Sequence, residues 1–187
     1  MDRDTAQTQL LDAAEQLFYG RGIQAVGMDD IRSASGLSLK RVYQLYPAKD
    51  QLVEAYLDRR DTRWRGRLAD HVDGVRRGGA DPVGCILAVF DWLERWFGEP
   101  DFRGCAWINS YGELGAVSER VAARARAHKQ AFRDQLGRLA ADAGLRPELA
   151  GQLYLLAEGA MVTAGMFAST APAAEAKAAA AALIAAG

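Results

Sequence analysis

Residues 27–46, GMDDIRSASGLSLKRVYQLY, constrain the fold more than any other stretch of this chain. Their pattern predicts two short helices joined by a tight turn. Gly36 lies where the first helix must end, because glycine adopts the left-handed conformation of a helix C-terminus without steric cost. Ser38 follows with a side-chain oxygen that can cap the second helix. The side chains expected to point inward and hold the two helices together are Leu37, Val42 and Leu45.

The second of these helices carries side chains that suit DNA. In a helix-turn-helix the second helix enters the major groove, and the first crosses the backbone. Arginine and lysine contact guanine edges or phosphates, glutamine pairs with adenine, and tyrosine hydroxyls bind phosphate oxygens. Residues 32–49 include four basic residues and no acidic one, which favours DNA binding over an ordinary helical hairpin in an all-α core. The candidate DNA-binding residues are Arg32, Ser38, Lys40, Arg41, Tyr43, Gln44 and Lys49.

Composition limits the other functions that this chain can have. Half of its 187 residues are apolar, enough for one sizeable core or for a small domain joined to a larger one. The net charge of −1 gives no overall basic field, so any affinity for DNA must come from a local patch. Cys85 and Cys105 are most simply buried thiols, with a redox switch as the alternative. His71 and His128 lack metal-ligand spacing, so we expect no metal and no cofactor.

Membrane segments and catalytic motifs are both absent from the sequence. Its first residues lack the apolar core of a signal peptide, and no run reaches the roughly 18 apolar residues that span a bilayer. We therefore expect a soluble, cytoplasmic protein. Since the chain also lacks a nucleophile elbow, a phosphate loop and a catalytic pair of carboxylates, we do not expect an enzyme.

Apolar periodicity predicts helices along the rest of the chain, so the expected fold is all-α. A first helix over residues 5–19 would complete a three-helix unit with the hairpin. A longer helix is expected over residues 48–71, and its charged run 58–67 most simply faces solvent. Residues 74–82 are expected to form a loop. Further helices are expected over 83–97, a short segment after 102, 116–143, 149–168 and the tail after 172.

The beginning of the chain resembles a known family. Residues 10–52, LLDAAEQLFYGRGIQAVGMDDIRSASGLSLKRVYQLYPAKDQL, are similar to the N-terminal domain of TetR-family transcriptional regulators. The sequence departs from the family pattern at Gly27, where the family often has a capping serine or threonine. The resemblance implies an N-terminal three-helix DNA-binding domain over 1–48 and a C-terminal helical bundle over 49–187 for ligand binding and dimerisation. The shared landmarks are AAEQLF, Gly22, Ile31, the turn Gly36-Leu37-Ser38, Tyr43, Tyr46, Lys49 and Leu52.

The expected helix over 149–168 points to a homodimer. It is apolar nearly all round and needs cover on both sides, for which a second copy of the chain is the simplest candidate. The resemblance implies the same, because family members are usually homodimers through their last two helices. Two DNA-reading units would then bind a palindromic operator in double-stranded DNA. The expected interface residues are Tyr154, Val162, Gly165, Met166, Leu183 and Ile184.

Tryptophan occurs only after the expected DNA-binding part of the chain. Core packing explains each aromatic residue singly, whereas the resemblance implies a pocket for a largely apolar or aromatic small-molecule effector. We thus expect a ligand-responsive repressor. The alternatives are a ligand-dependent activator and a small-molecule-sequestering dimer with a degenerate DNA-binding unit. Glu158 lies in an apolar stretch and must have a partner. The pocket candidates are Phe90, Trp92, Trp96, Trp107, Tyr111, His128, Phe132, Glu158 and Met161.

Overall fold

The computed structural model of the protein describes residues 2–186. Over that range the chain forms nine α-helices and no strand, so the all-α prediction is confirmed. Of these helices, none combines the length and the apolar character that crossing a bilayer would take. The helices are α1 (Arg3–Arg21), α2 (Met28–Ser35), α3 (Leu39–Leu45), α4 (Lys49–Arg77), α5 (Pro82–Phe97), α6 (Ala106–Leu114), α7 (Glu119–Asp142), α8 (Pro147–Phe167) and α9 (Ala171–Ala186).

The helices group into two compact units. Unit 1 comprises residues 2–61 and 106–126, which include α1 to α3, the beginning of α4, α6 and the beginning of α7. Unit 2 comprises residues 62–105 and 127–186, which include the rest of α4 and α7 together with α5, α8 and α9. The boundary expected after residue 48 separates a DNA-binding part from a ligand-binding part and does not mark two groups of contacts. It stays a prediction.

Helix α1 is longer at both ends than the expected segment. Asp2 caps its start, because the Asp2 carboxylate accepts a hydrogen bond from the Thr5 amide at 2.8 Å. Gly22 follows its last residue with φ +87°, a conformation that favours glycine. The side chains that α1 buries are Ala6, Leu10, Leu11, Ala13, Ala14 and Phe18. This apolar stripe gives α2 and α3 a surface on which to pack.

An ion cluster within unit 1 joins α1 to α4. The Arg59 guanidinium donates to Asp12 at 2.7 Å and to Glu15 at 2.8 Å. Arg60 donates to the other Glu15 oxygen at 2.7 Å, and its guanidinium lies 3.8 Å from the centre of the Tyr19 ring. Arg60 is only 8% exposed. The expectation that the whole charged run of α4 faces solvent is therefore wrong, because α1 supplies carboxylates that neutralise two of its arginines.

Helix α4 continues to Arg77, through residues that were expected to begin a loop. Leu68 and Val72 stand one turn apart, and both are buried in unit 2. Burial of this stripe outweighs the cost of Gly74, since an interior glycine destabilises a helix by about 1 kcal/mol. The expected loop is therefore shorter than the sequence suggested, and it begins at the paired glycines that follow the helix.

Unit 2 is built around an aromatic cluster. Helix α5 packs against α8 and α9 and buries apolar side chains on both of its sides. Trp64 of α4 stands edge-on to Trp92 of α5, with ring centres 4.9 Å apart, and to Phe132 of α7 at 5.2 Å. Trp92 and Trp96 stack at 5.6 Å. These rings fill the interior of unit 2 and supply much of its buried apolar area.

Candidate nucleic-acid interface

Helices α2 and α3 form the expected pair of short helices joined by a tight turn. Before α2, the Gly27 amide donates to the Asp30 carboxylate at 2.8 Å, so one half of a capping box is present although glycine cannot supply the other. Gly36 ends α2 in the left-handed conformation, with φ +66°. Ser38 then caps α3, because its hydroxyl oxygen accepts a hydrogen bond from the Arg41 amide at 3.3 Å. This arrangement has the geometry of a helix-turn-helix.

Buried side chains fix how these two helices lie on α1. Ile31 of α2 and Val42 of α3 are completely buried, and Leu37 in the turn is 6% exposed. A hydrogen bond adds to this packing, since the Gln9 side chain of α1 donates to the Ser35 carbonyl at the end of α2, at 2.7 Å. The packing determines which side of α3 faces outward. Leu45, which was expected to point inward, is half-buried.

The outward side of α3 carries three of the expected DNA-binding residues. Lys40, Tyr43 and Gln44 are exposed there, Tyr43 with 45% of its surface. Leu39, which sequence reasoning left out, is also exposed, at 48%. In the sequence it stands out as a leucine that does not belong to the set expected to point inward. The face therefore combines a cation, an amide, a phenol and an apolar side chain, which are groups that contact DNA.

Both predicted DNA-binding arginines already have partners within unit 1. Arg32 pairs with Asp29 one turn earlier, with 3.0 Å between Nε and Oδ1. Arg41 is partly exposed and donates to the backbone carbonyl of Asp2 at 3.3 Å. Both guanidinium groups keep further N–H donors, since arginine has five. Contacts of Arg32 and Arg41 with DNA stay predictions.

Lys49, predicted as a phosphate anchor, binds the protein backbone in this structure. Its ammonium donates to the Ile23 carbonyl at 2.6 Å and lies 5.9 Å from the centre of the Phe18 ring. The bond joins the first turn of α4 to the loop between α1 and α2. Lys49 therefore has a structural role that the sequence did not suggest, and its contact with DNA stays a prediction.

Helix α6 reaches the same loop. The Gln24 amide donates to the Glu113 carboxylate at 2.8 Å, and the Gln24 side chain donates to the Glu113 carbonyl. Gly22 lies against that carboxylate, since an added Cβ would stand 3.2 Å from it. Beside this contact, unit 1 contains a cavity of about 280 Å³ lined by aromatic side chains of α1 and α4 and polar side chains of α6. Sequence reasoning gave α6 no part in holding the DNA-binding helices.

Most of the expected effector-pocket residues lie in the interior of unit 2: Phe90, Trp92, Trp96, His128, Phe132, Glu158 and Met161. Apart from Glu158, each of these is at most 5% exposed. Trp107 and Tyr111 lie on α6 and belong to unit 1, where Trp107 is buried and Tyr111 is 49% exposed. Burial fits core packing as well as ligand binding, so the pocket stays a prediction.

The partner that Glu158 requires is Lys129 of the same chain. The Lys129 ammonium donates to Glu158 at 2.6 Å and to the Cys105 sulphur at 3.3 Å. Burial by itself would lower the pKa of Lys129, but Cys105 and Glu158 outweigh it and raise that pKa above its ordinary value. Glu158 therefore needs neither a ligand nor a second chain to balance its charge. Across residues 2–186, no three His, Cys, Asp or Glu side chains are grouped so that they could hold a metal ion.

Three of the four exposed large apolar side chains of α8 form a stripe, and the fourth, Phe167, ends the helix. Leu155, Val162 and Met166 are spaced by seven and four residues, which places them on one helix face. They are 68%, 41% and 75% exposed. Leu155 was not among the expected interface residues, although its spacing from Val162 marks it. Leu183 and Ile184 of α9 are half-buried in unit 2.

Two other expected interface residues of α8 lie away from that stripe. The half-buried Tyr154 ring stands 5.8 Å from the ring of Phe132. A Cβ added to Gly165 would come within 2.9 Å of the Gly104 Cα atom, so this glycine is needed for packing within unit 2. Their part in a dimer stays a prediction, and the structure gives each of them a role inside the chain.

Comparison with known proteins points the same way as this geometry. The family described as bacterial regulatory proteins, tetR family, matches residues 10–56. Over 154 residues the chain is 30% identical to the HTH-type transcriptional activator FasR of Mycolicibacterium smegmatis, which covers 78% of this chain. The chain spans 64% of the length of the mycobacterial relatives that it matches, FasR included.

Solved structures extend the likeness beyond the first helices. SCO4454, a TetR-family transcriptional regulator from Streptomyces coelicolor, matches with a TM-score of 0.83 and 29% identity, over 94% of this chain and 92% of its own. A putative regulator of the same family from Streptomyces avermitilis matches with a TM-score of 0.75 and 30% identity, over 88% of both chains. The likeness therefore includes the helices of both units.

Gly36→Ala is expected to destabilise the protein by about 1–2 kcal/mol, because an L side chain is strained in the left-handed conformation. Gly66→Ala is the matched control. Gly66 lies inside α4, and an added Cβ would meet no neighbour within 4 Å, so the same change is expected to stabilise the protein by up to ~1 kcal/mol. Urea unfolding followed by circular dichroism measures both effects. Equal stability of the two variants would contradict the turn geometry.

Proposed function

This chain belongs to the tetR family of bacterial regulatory proteins, and we propose that it is a ligand-responsive repressor that binds a palindromic operator as a homodimer. The observation that carries this proposal is the outward face of α3, where Lys40, Tyr43 and Gln44 project from a complete helix-turn-helix. The fold and the family are those of transcriptional regulators and not of enzymes. Operator binding places its action in the cytoplasm, where the bacterial chromosome lies.

The chemistry of α3 supports reading DNA in the major groove. The Lys40 ammonium suits the acceptor edge of guanine or a phosphate, and the Gln44 amide suits adenine. The Tyr43 hydroxyl suits a phosphate oxygen. Since the chain as a whole carries a net charge of −1, non-specific attraction to DNA is weak, and these few local contacts must supply the specificity.

The apolar stripe of α8 supports a two-fold dimer. A stripe that meets its own copy across a two-fold axis covers Leu155, Val162 and Met166 in both chains at once. The two α3 helices would then bind half-sites about 34–36 Å apart, or a multiple of that distance. Doubling the contacts in this way gives a small reading unit enough affinity to select one site.

The proposed effector is a largely apolar or aromatic small molecule that binds in the C-terminal bundle, where aromatic side chains are concentrated. Its binding is proposed to shift α4 and so to change the separation of the two α3 helices. Within unit 1, Lys49 and Arg59 of α4 hold the Ile23 carbonyl and Glu15, so a shift of α4 would carry α1 with it. The effector must bind one of the two dimer geometries more tightly than the other.

Activation of transcription, instead of repression, is the second candidate function. FasR is named a transcriptional activator, and it is 30% identical to this chain over the matched region. Both outputs require the same operator binding, so they differ in where the operator lies relative to the promoter. A sequestering dimer with a degenerate DNA-binding unit is less well supported, because Lys40 and Gln44 remain exposed on an intact α3.

Replacing Lys40 and Arg41 together with alanine is expected to weaken operator binding at least tenfold, since each charged contact to a base is worth about 1–3 kcal/mol. The slope of log affinity against log salt concentration should also fall by roughly 1 for each phosphate that the variant cannot neutralise. The measurement is fluorescence anisotropy, across a salt series, with a duplex that the protein selects from random sequences.

Arg138→Ala/Arg146→Ala is the charge-matched control for that experiment. It removes the same charge from exposed positions outside the helix-turn-helix and should leave operator affinity nearly unchanged. The proposal fails if the wild-type protein binds all duplexes equally. It also fails if the two double variants bind the operator with the same reduced affinity.

Met166→Glu is expected to disrupt the proposed dimer. Each copy loses about 1.5 kcal/mol of apolar burial, and both copies are changed, so the dissociation constant should rise at least ~100-fold. Val117→Glu is the control, because Val117 is 80% exposed but lies outside the stripe. Sedimentation equilibrium measures both variants. A dimer of unchanged affinity in Met166→Glu would exclude the α8 stripe as the interface.

An effector is expected to bind the free protein more tightly than the operator complex, and by the same factor by which it weakens DNA binding, typically about 5–150-fold. Isothermal titration of each candidate compound into both forms tests this equality. The Lys40→Ala/Arg41→Ala variant should bind the compound as the wild type does, since neither residue lies in the C-terminal bundle. Tight-binding compounds with identical affinity for both forms would contradict the coupling.

A further inference from the structure

Exposed apolar surface in the N-terminal helices is concentrated on α3. Among residues 2–61, the exposed large hydrophobic side chains are those of Leu39, at 48%, and Tyr43, at 45%. They are four residues apart, so they are neighbours on the surface of the helix. Tyr43 has a hydroxyl that suits phosphate, whereas Leu39 has no role in the operator contacts described above.

The local structure of α3 leaves Leu39 outside the core. Because Ser38 caps the helix through the Arg41 amide, α3 begins at Leu39. Leu37 before this position and Val42 after it fill the interior, at 6% and 0% exposure. Half of the Leu39 side chain remains in water, so its contribution to the stability of the fold is small.

The surroundings of Leu39 fit a partner that is anionic overall and carries isolated apolar groups. Lys40 is exposed beside it, and Gln44 is exposed further along the same helix. Arg41, the second cation of α3, is partly exposed, and the helix carries no anion. Duplex DNA has the matching chemistry, since its phosphates are negative and the C5 methyl group of thymine is the apolar group on the major-groove edge.

We propose that Leu39 is a specificity-determining residue that packs against the C5 methyl group of a thymine in the operator. The proposal rests on the operator binding proposed above. The N-terminal residues of a recognition helix reach the base edges, and Leu39 is the first residue of α3. The contact selects thymine over cytosine, which lacks the methyl group and presents an amino donor instead.

Deoxyuridine provides the test, because it differs from thymidine only by the missing C5 methyl group. A duplex that the protein selects from random sequences is prepared with each pair of symmetry-related thymines replaced in turn. For the wild-type protein we expect one position at which the replacement weakens binding about fourfold per half-site, the effect of burying one methyl group. Fluorescence anisotropy at constant salt measures the ratio of the two affinities.

Variants of α3 show which side chain senses the methyl group. Leu39→Ala is expected to bind the thymine and deoxyuridine duplexes equally, and Leu39→Met is expected to keep a ratio near that of the wild type. Gln44→Ala is the matched control on the same exposed side of α3. It should lower affinity for both duplexes and leave their ratio unchanged. Melting temperatures verify folding, and lower salt raises the affinity of weak variants into the measurable range.

The results that would overturn this inference differ from those that would overturn operator binding. The inference is overturned if the wild-type protein binds a selected duplex but is insensitive to every deoxyuridine replacement. It is also overturned if Leu39→Ala keeps the wild-type ratio. If the wild-type protein selects no sequence at all, operator binding itself fails, and Leu39 then has no base to read.

Discussion

The carboxylate of Glu15 makes ion pairs on which the packing of unit 1 depends. It accepts hydrogen bonds from Arg59 at 2.8 Å and from Arg60 at 2.7 Å, and it thereby joins α1 to α4. Removing one partner from a buried ion cluster leaves a charge uncompensated, which typically costs about 3–5 kcal/mol. Helix α1 also carries Gln9, which holds the end of α2. The ion cluster therefore holds α1 against α4, and α1 in turn supplies the surface on which α2 and α3 pack.

The candidate interface combines restrained and unrestrained side chains. Arg32 and Arg41 are held by Asp29 and by a backbone carbonyl, so part of the entropy that binding would otherwise cost is already lost. Lys40 is exposed at the centre of the face and can adapt to the base or phosphate that it meets. Two restrained arginines beside a lysine that can adjust suit the role proposed for α3, which is to select one operator sequence among many.

Local chemistry made part of this molecule predictable from its sequence. Gly36 and Ser38 allowed few alternatives to a helix end followed by a helix start, so α2 and α3 were located closely. The charged run of α4 was misread, because Glu15 lies 44 residues before Arg59 and no local pattern shows that pairing. Leu39 was overlooked for a related reason. Only the packing of the turn and of α3 reveals that this leucine stays outside.

The sequence by itself determined the all-α fold, the helix-turn-helix and the types of side chain on its second helix, because capping, helical periodicity and turn preference act over a few residues. The tertiary structure decided which of those side chains have partners. It paired Glu158 with Lys129 and packed Gly165 against Gly104, and it left the apolar stripe of α8 exposed. Such contacts join residues far apart in the chain, and their formation depends on how whole helices pack rather than on any local pattern.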